Sequence, residues 1–343
     1  MNVIRSILAI ALLAISSLAA AGPIVDAAYV KQAIAGGAIV WDVRPTPAYK
    51  KGHIPGAVSI GDAGTVLREM TREDFVATDR VARILGDAGI DPARPIVVYG
   101  DRGSPFAYFG YFAIRYFGGN NVVVFHDGAD GWTAAGDALD TAEARLPAVS
   151  LKLAPVAARM ATTDEVVKDL KAIQKGKMQL VDVRTPAEFS GQDVRAIRGG
   201  HIPGAVNIPF EQNWKDPDTA AKLAQKKVPD NGGMSLRSAD ELKAIYSGLD
   251  PAKETIVYCQ SGVRAAETAV VLEQIGFRNV RVYDSAWLGY AGRLGAPAAD
   301  EAFFNVGAAN GKIAALQKRV DELAAAVEQL NAQRATTAAA TAK

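Results

Sequence analysis

Short apolar runs recur along this chain, and longer segments with helical spacing lie between them. Runs of this length, bounded by turn residues and alternating with helices, are typical of buried parallel strands in an α/β fold. The runs that predict strands are 40–44, 95–99 and 121–125, followed by 180–184, 254–258 and 279–283.

Two of the intervening segments carry clear helix signals. Residues 265–275 lie between two predicted strands, and Gly276 stands where a helix commonly ends. Residues 106–117, followed by Gly118, occupy the equivalent place earlier in the chain. Both segments are predicted to be crossover helices that connect parallel strands.

An internal repeat sets the number of domains. Residues 52–58 and 200–206 share the sequence Gly-His-Ile-Pro-Gly-Ala-Val. A chain of 343 residues is long enough for two domains of ordinary size. We therefore predict two related α/β domains at 33–140 and 164–297, joined at about 142–162 by a stretch rich in Ala, Pro and Leu.

The C-terminal segment has a different pattern. A helix is predicted over 309–333, and residues 335–343 are predicted to be disordered. The helix either pairs with a second copy of the chain as a parallel coiled coil or lies singly on the C-terminal domain. Its apolar residues form an a/d seam of nearly three heptads, with Ile or Val at a and Leu at d: Ile313, Leu316, Val320, Leu323, Val327 and Leu330.

The N-terminus is typical of a secretory signal peptide. Arg5 precedes an apolar run over 7–18, and small residues follow up to Gly22. This run is shorter than the roughly 20 residues of a transmembrane helix. We predict a signal peptide over 1–21, no stable membrane insertion after its cleavage, and a periplasmic or secreted protein. An uncleaved signal anchor is the alternative.

Composition excludes several kinds of function. The chain has 38 basic and 37 acidic side chains and no basic run, so no nucleic-acid partner is expected. One cysteine cannot form a disulfide within the chain, and with three histidines it leaves too few ligands for a structural zinc site.

One segment combines residue types that stabilise an anion. Residues 258–265 read Tyr-Cys-Gln-Ser-Gly-Val-Arg-Ala and connect a predicted strand to a predicted helix. A loop in this place can turn backbone N–H groups inward, and the helix N-terminus adds partial positive charge. A thiol at the centre is stabilised as the nucleophilic thiolate. Cys259 is therefore the candidate catalytic residue, and an inert core thiol is the alternative.

The residues after the cysteine are the candidate substrate-binding residues. Gly262 permits a positive φ angle in the middle of the loop. Arg264 can offer a planar fork of donors to an oxyanion, unless it is simply a solvated residue of the first helical turn. The full set is Gln260, Ser261, Gly262, Val263 and Arg264.

These motifs together resemble those of rhodanese domains. Asp-Val-Arg, Gly-His-Ile-Pro-Gly-Ala and Cys-Gln-Ser-Gly-Val-Arg occur in the family's order, and the resemblance covers about 33–140 and 164–297. It implies a parallel five-stranded sheet flanked by helices in each domain. It also implies transfer of sulfane sulfur from a donor anion such as thiosulfate to cyanide or a thiol. In the family the loop cysteine carries the sulfur as a persulfide, a role that falls to Cys259. No metal or organic cofactor is implied.

The chain departs from the family pattern in two places. The first copy has Gly100 where the second has Cys259, so we predict a first domain that is inactive and forms one wall of the cleft. Thiosulfate and mercaptopyruvate enzymes have a further basic residue where this chain has Glu188. Substrate charge is then expected to fall to Arg264, with Arg195 and Arg198 as candidate helpers that are equally well explained as solvated loop residues.

Other polar residues of the motifs are predicted to support the fold. Asp182 and Arg184, two positions apart after a strand, suit a buried ion pair that ties the loop to the core. Asp42 and Arg44 repeat this arrangement in the first copy. His201 is predicted to be a hydrogen-bonded structural residue of its turn.

Two alternative functions stay open from the sequence. Phosphatases related to rhodaneses place five residues between the loop cysteine and arginine, whereas four separate Cys259 from Arg264. A non-catalytic sulfur carrier or scaffold is favoured by the cysteine-free first domain and the C-terminal helix. The loop of the second domain argues against a scaffold.

Overall fold

The computed structural model describes residues 22–69, 71–72 and 74–341, with side chains described up to residue 334. The predicted signal peptide, 1–21, lies outside these residues. In the described part of the chain, no helix is both long and apolar enough to cross a membrane.

The first domain is built on a five-stranded sheet in which every neighbouring pair of strands is parallel. The strand order is β1-β5-β4-β2-β3. The three central strands are buried along their whole length, which explains why they are continuous apolar runs. The strands are β1 (Ile24–Val25), β2 (Ile39–Asp42), β3 (Val58–Ser59), β4 (Ile96–Tyr99) and β5 (Val122–Phe125).

The second domain repeats this sheet with the equivalent order β6-β11-β10-β7-β9, again parallel throughout. Two further strands, β8 and β12, form a separate antiparallel pair. The strands are β6 (Met160–Ala161), β7 (Gln179–Asp182), β8 (Arg198–His201), β9 (Val206–Asn207), β10 (Thr255–Tyr258), β11 (Val280–Tyr283) and β12 (Ala299–Phe303).

Helices flank both sheets, and the structure confirms the two-domain α/β fold. Those of the first domain are α1 (Ala27–Ala35), α2 (Thr46–Lys51), α3 (Ala63–Val66), α4 (Thr78–Asp87), α5 (Pro105–Tyr116) and α6 (Gly128–Ala134). Those that follow are α7 (Thr163–Gln174), α8 (Pro186–Phe189), α9 (Thr219–Ala224), α10 (Ala239–Ile245), α11 (Val263–Gln274), α12 (Ala286–Ala291) and α13 (Val306–Thr341). Short 3₁₀ turns lie at Ala157–Arg159, Phe210–Asn213 and Gly232–Met234.

The predicted crossover helices are confirmed as α5 and α11, and glycines with positive φ, Gly118 and Gly276, follow them. The edge strands β1 and β6 start before the predicted domain ranges of 33–140 and 164–297. Each has only two residues, which is too short to show a hydrophobic period.

The two domains meet where α5 packs on α11, and one apolar cluster runs through both. The hydroxyl of Tyr111 donates to Glu273 across this contact at 3.0 Å, and Arg159 of the connecting segment pairs with the same carboxylate at 2.7 Å. The loops that precede α5 and α11 therefore face the same region between the domains.

The C-terminal helix differs from its prediction at both ends. It begins at Val306 and continues to Thr341, through residues 335–341 that are predicted to be disordered. This final part is rich in alanine, which has the strongest helix propensity. Nearly all residues over 306–334 are exposed, so the prediction that the helix lies on the C-terminal domain is wrong for this range.

Candidate active site

The loop that carries Cys259 leaves β10 and enters α11. Its first two carbonyl groups are held by the start of α12. The amide of Trp287 donates to the Cys259 carbonyl, and the amide of Leu288 donates to the Gln260 carbonyl, both at 3.0 Å. The side-chain amide of Gln260 also donates to the carbonyl of Arg195 at 2.9 Å. The loop is therefore fixed by contacts on both sides of its backbone.

Gly262 gives the loop its sharp turn. Its φ angle is +84°, as the sequence predicts, in a region that side chains other than glycine rarely adopt. A Cβ atom at this position would collide with the carboxylate of Asp284 and would lie 2.8 Å from its carbonyl oxygen. Both the dihedral angle and the available space require glycine here.

Cys259 is a free thiol that is 1% exposed. It belongs to the apolar cluster that also contains Phe210 and Ala266. It lies just before α11, whose first amides have no acceptor within the helix. Burial lowers the pKa of the Arg264 guanidinium, but its hydrogen bonds to Glu188 and its electrostatic interactions within the site raise that pKa overall. The thiol is thus covered, and it lies in the field of a fixed cation.

The guanidinium of Arg264 forms a bidentate ion pair with Glu188, with N–O distances of 2.7 and 2.8 Å. The two side chains are 17% and 2% exposed. Each terminal nitrogen donates to the Glu188 carboxylate, so the fork faces this partner and is not open as the sequence predicts. It is not a solvated helix residue either, because it bridges α11 and α8.

A second set of contacts fixes Glu188 at the start of α8. Its carboxylate accepts from the amide of Thr185 at 3.1 Å, and the Thr185 hydroxyl accepts from the amide of Glu188 in return. Burial alone would raise the pKa of this carboxyl group. Arg264, the Thr185 amide and Arg195 together lower it to about 2. Glu188 is therefore ionised at neutral pH.

The two other candidate cations have different places. Arg195 pairs with Glu188 at 3.1 Å and is half exposed, so it belongs to the same charge cluster. Arg198 is buried away from this charge cluster, where it pairs with Glu301 at 2.6 Å and donates to backbone carbonyls in and after α12. The structure therefore brings Arg195 to the site and does not bring Arg198.

The predicted supporting residues lie in the core beneath the loop. Arg184 pairs with Asp182 at 2.6 Å and donates to the carbonyl of Gly200 at 2.7 Å. His201 stacks on Phe189 with ring centroids 3.6 Å apart, and its Nδ1 lies 3.0 Å from the Phe189 carbonyl. These contacts join the strand end to the turn that follows it, and none of them reaches Cys259.

The first domain contains the same loop without a thiol. Gly103 has a φ angle of +73°, like its counterpart, and the amide of Ala129 donates to the Gly100 carbonyl at 3.0 Å. Asp101 is held by Arg44 at 3.2 Å. The loop geometry is thus preserved, while the nucleophile is replaced by glycine.

A cleft of about 340 Å³ opens at the Cys259 loop. Both domains line it, as predicted for the first domain. A larger cleft, of about 430 Å³, lies beside α2 and the connecting segment and contains no residue of the loop. The lining residues at the loop are Gly64, Thr65, Arg68, Glu69, Pro105 and Phe106 from the first domain, and Ser261, Val263 and Arg264 from the second.

Arg68 and Phe106 are site residues that the sequence does not indicate. The guanidinium of Arg68 is buried, lies 3.5 Å from Asp284 and stacks over Phe109. Phe106 is partly exposed at the start of α5. No motif marks either residue, because they meet the loop of the other domain only after the two domains pack.

Comparison with known proteins agrees with this geometry. The chain is 38% identical over 253 residues to the thiosulfate sulfurtransferase of Corynebacterium glutamicum, covering 70% of this chain and 77% of that one. It superposes on the 3-mercaptopyruvate sulfotransferase SseA of Escherichia coli with a TM-score of 0.64 and 27% identity, covering 78% of this chain and 99% of that one.

A further solved structure shares the fold alone. The anaerobic ergothioneine biosynthesis enzyme of Chlorobium limicola matches with a TM-score of 0.67 and 22% identity, covering 80% of this chain and 69% of that one. The model of the rhodanese-like domain matches twice, at residues 26–135 and 166–293, which together are more than half of the chain. The chain therefore belongs to the rhodanese family of sulfurtransferases, with two domains of that family in tandem.

Proposed function

We propose that this enzyme takes sulfane sulfur from a small donor anion such as thiosulfate, holds it on Cys259 as a persulfide, and passes it to cyanide or a thiol. The observation that carries the proposal is the position of the one cysteine, in a fixed loop at the N-terminus of α11 that also carries Arg264. Relatives named thiosulfate sulfurtransferase support the choice of donor.

The reaction has two half-reactions on one sulfur atom. The Cys259 thiolate attacks the outer sulfur of thiosulfate, a new S–S bond forms, and the old S–S bond breaks with its electron pair leaving on sulfite. The terminal persulfide sulfur is then attacked by the acceptor, and the cysteine leaves as a thiolate. Covalent catalysis of this kind predicts ping-pong kinetics.

The residues of the loop have distinct tasks in this scheme. The backbone of 260–263, turned by Gly262, is proposed to hold the persulfide anion by its N–H groups. Arg264 supplies positive charge beside Cys259 from a position that Glu188 fixes. Because Cys259 is 1% exposed, a donor has to displace neighbouring side chains before it reaches Sγ.

Mass spectrometry of the purified protein tests the proposal directly. Incubation with thiosulfate should add one sulfur atom to the wild type at Cys259 and none to Cys259→Ser. The variant should keep the wild-type unfolding transition and lose cyanide-dependent turnover. An unchanged wild-type mass with thiosulfate, mercaptopyruvate and polysulfide would instead favour a non-catalytic scaffold. Cleavage of an aryl phosphate would favour the phosphatase alternative.

We also propose that the mature protein is periplasmic or secreted. The support is the sequence of residues 1–21, with one arginine before a short apolar run and small residues after it. N-terminal sequencing of the protein recovered outside the cytoplasm should give a first residue close to Gly22. An intact Met1 on the mature protein would contradict cleavage.

A further inference from the structure

The C-terminal helix α13 exposes an apolar stripe along one side. It spans 36 residues, and the six seam residues are 55–64% exposed. An apolar stripe this long is unusual on a monomer, and helices in proteins gain most of their stability by packing their apolar face. The seam consists of Ile313, Leu316, Val320, Leu323, Val327 and Leu330.

The residues just before α13 are held by the second domain, whereas most of the helix has no contact that buries it. Strand β12 pairs with β8, and the amide of Phe304 then donates to the Ile197 carbonyl at 3.1 Å. The side chain of Asn305 accepts from the amide of Ala308 at 2.9 Å. Beyond this point, residues 310–334 are all exposed, so the stripe is open to a partner.

We propose that a second copy of this chain covers the stripe, with the two α13 helices forming a parallel two-stranded coiled coil. Ile or Val at every a position and Leu at every d position favour two parallel strands. The structure adds one more a position at the start of the helix, Val306, which is 60% exposed, although the d position of that added heptad is the smaller Ala309.

The residues that flank the seam favour a second copy of this chain over a different protein chain or a lipid surface as the partner of α13. A different protein chain is normally selected by opposite charges at e and g. Here the e positions are Gln317, Ala324 and Asn331, so Lys312 and Arg319 at g meet no charge. A lipid surface prefers a basic polar face, whereas the polar face of α13 contains acidic residues among its basic ones, Asp321, Glu322 and Glu328 with Lys318.

Sedimentation equilibrium of the full-length mature protein tests the interface. The wild type should have the mass of two chains. Leu323→Glu, at a d position, should have the mass of one, whereas the control Ala325→Glu, at the solvent-facing f position, should stay dimeric. A monomeric wild type, a mass of three chains, or a Leu323→Glu protein as dimeric as the control would overturn the proposal.

Cross-linking tests the parallel orientation. In a Cys259→Ser background, Ile313→Cys should form an inter-chain disulfide on mild oxidation, because like a positions face each other in a parallel pair. In an antiparallel pair, position 313 of one chain lies opposite Leu330 of the other. The two introduced cysteines are then about 25 Å apart along the coiled coil, at 1.5 Å per residue, and cannot form a disulfide. A dimer that does not cross-link would overturn the parallel arrangement. Sulfur loading at Cys259 should persist in Leu323→Glu, so a failed dimer and a failed sulfurtransferase remain distinguishable.

Discussion

Glu188 and Arg264 are 76 residues apart in the chain, and their side chains form a bidentate ion pair at the end of the loop that carries the only cysteine. The pair fixes the guanidinium of Arg264 at the Cys259 loop. Each terminal nitrogen of that guanidinium donates to the Glu188 carboxylate. The carboxylate of Glu188 therefore neutralises the charge of the one cation that the active-site loop carries. Donor affinity should therefore depend on how firmly the pair is held.

Glu188→Gln removes the charge of the pair and leaves the helix cap, because glutamine serves in a capping box as glutamate does. Arg264 is then free to donate to a donor anion, and KM for thiosulfate should fall roughly five- to tenfold. The free energy of unfolding should fall by about 2–4 kcal/mol, since a largely buried cation loses its partner. Steady-state kinetics and urea unfolding measure the two effects.

Glu241→Gln is the matched control. Glu241 closes a capping box with Ser238 in the same way, and its ion pair with Arg237 is exposed and long, at 3.6 Å. It should change neither KM nor stability by a measurable amount. If KM of Glu188→Gln also stays at the wild-type value, Arg264 has no part in donor binding.

The same ion pair predicts a loss of stability in acid. The Glu188 carboxyl has a pKa of about 2 in the folded protein and an ordinary value of 4.5. Because the folded value is the lower one, its contribution is complete above pH 4.5 and is lost as pH falls toward 2. A difference of roughly 2.5 pH units corresponds to about 3 kcal/mol. Urea unfolding at pH 7, 4 and 3 should show that the difference in free energy of unfolding between wild type and Glu188→Gln becomes smaller as pH falls. A constant difference would mean that the ionised carboxylate of Glu188 does not stabilise the fold.

Gly262→Ala should damage the active loop. The positive φ angle and the clash with Asp284 together should cost roughly 1–3 kcal/mol of stability. The loop must also move, and kcat should fall by about a hundredfold. Gly103→Ala is the control, because Gly103 has the same turn in the cysteine-free domain and its Cβ would meet the Met234 side chain. Gly103→Ala should lose stability and keep the wild-type kcat. If both variants lose kcat equally, the effect of Gly262→Ala does not arise in the Cys259 loop.

Glu267 predicts a pH effect of the opposite sign. This carboxyl group is buried in α11 and accepts a hydrogen bond from Trp214 at 3.1 Å. Burial raises its pKa well above 4.5, although the hydrogen bonds from Trp214 and Asn213 oppose this. The folded protein keeps a proton that the unfolded chain releases above pH 4.5, so stability falls as pH rises.

Glutamine cannot ionise, so the stability of Glu267→Gln should not fall with rising pH for this reason. Relative to wild type, the free energy of unfolding of the variant should rise by up to about 1.4 kcal/mol per pH unit above pH 4.5, for as long as the folded wild type keeps its proton. Urea unfolding at pH 5, 6.5 and 8 measures the slope. Parallel pH profiles for the two proteins would show that Glu267 is ionised in the folded state.

Local sequence was enough to predict the main elements and the loop. Buried strands such as β4 and β10 are continuous apolar runs, and the helices after them end at glycines. The Gly262 turn and the Asp182–Arg184 pair involve residues at most a few positions apart. Such contacts are set by near neighbours, so the motif contains the information. The edge strands β1, β3, β6 and β9 were missed because two residues show no period, and the antiparallel pair of β8 and β12 was missed as well.

What the sequence alone determined is therefore the tandem α/β fold, the position of Cys259 between a strand and a helix, and the heptad stripe of α13. Only the tertiary structure decided that Arg264 is paired with Glu188, that Cys259 is covered, and that Arg68 and Phe106 of the first domain line the cleft. The reason is physical. Backbone patterns follow from neighbouring residues, whereas burial and ion pairing depend on which distant surfaces the two packed sheets bring together.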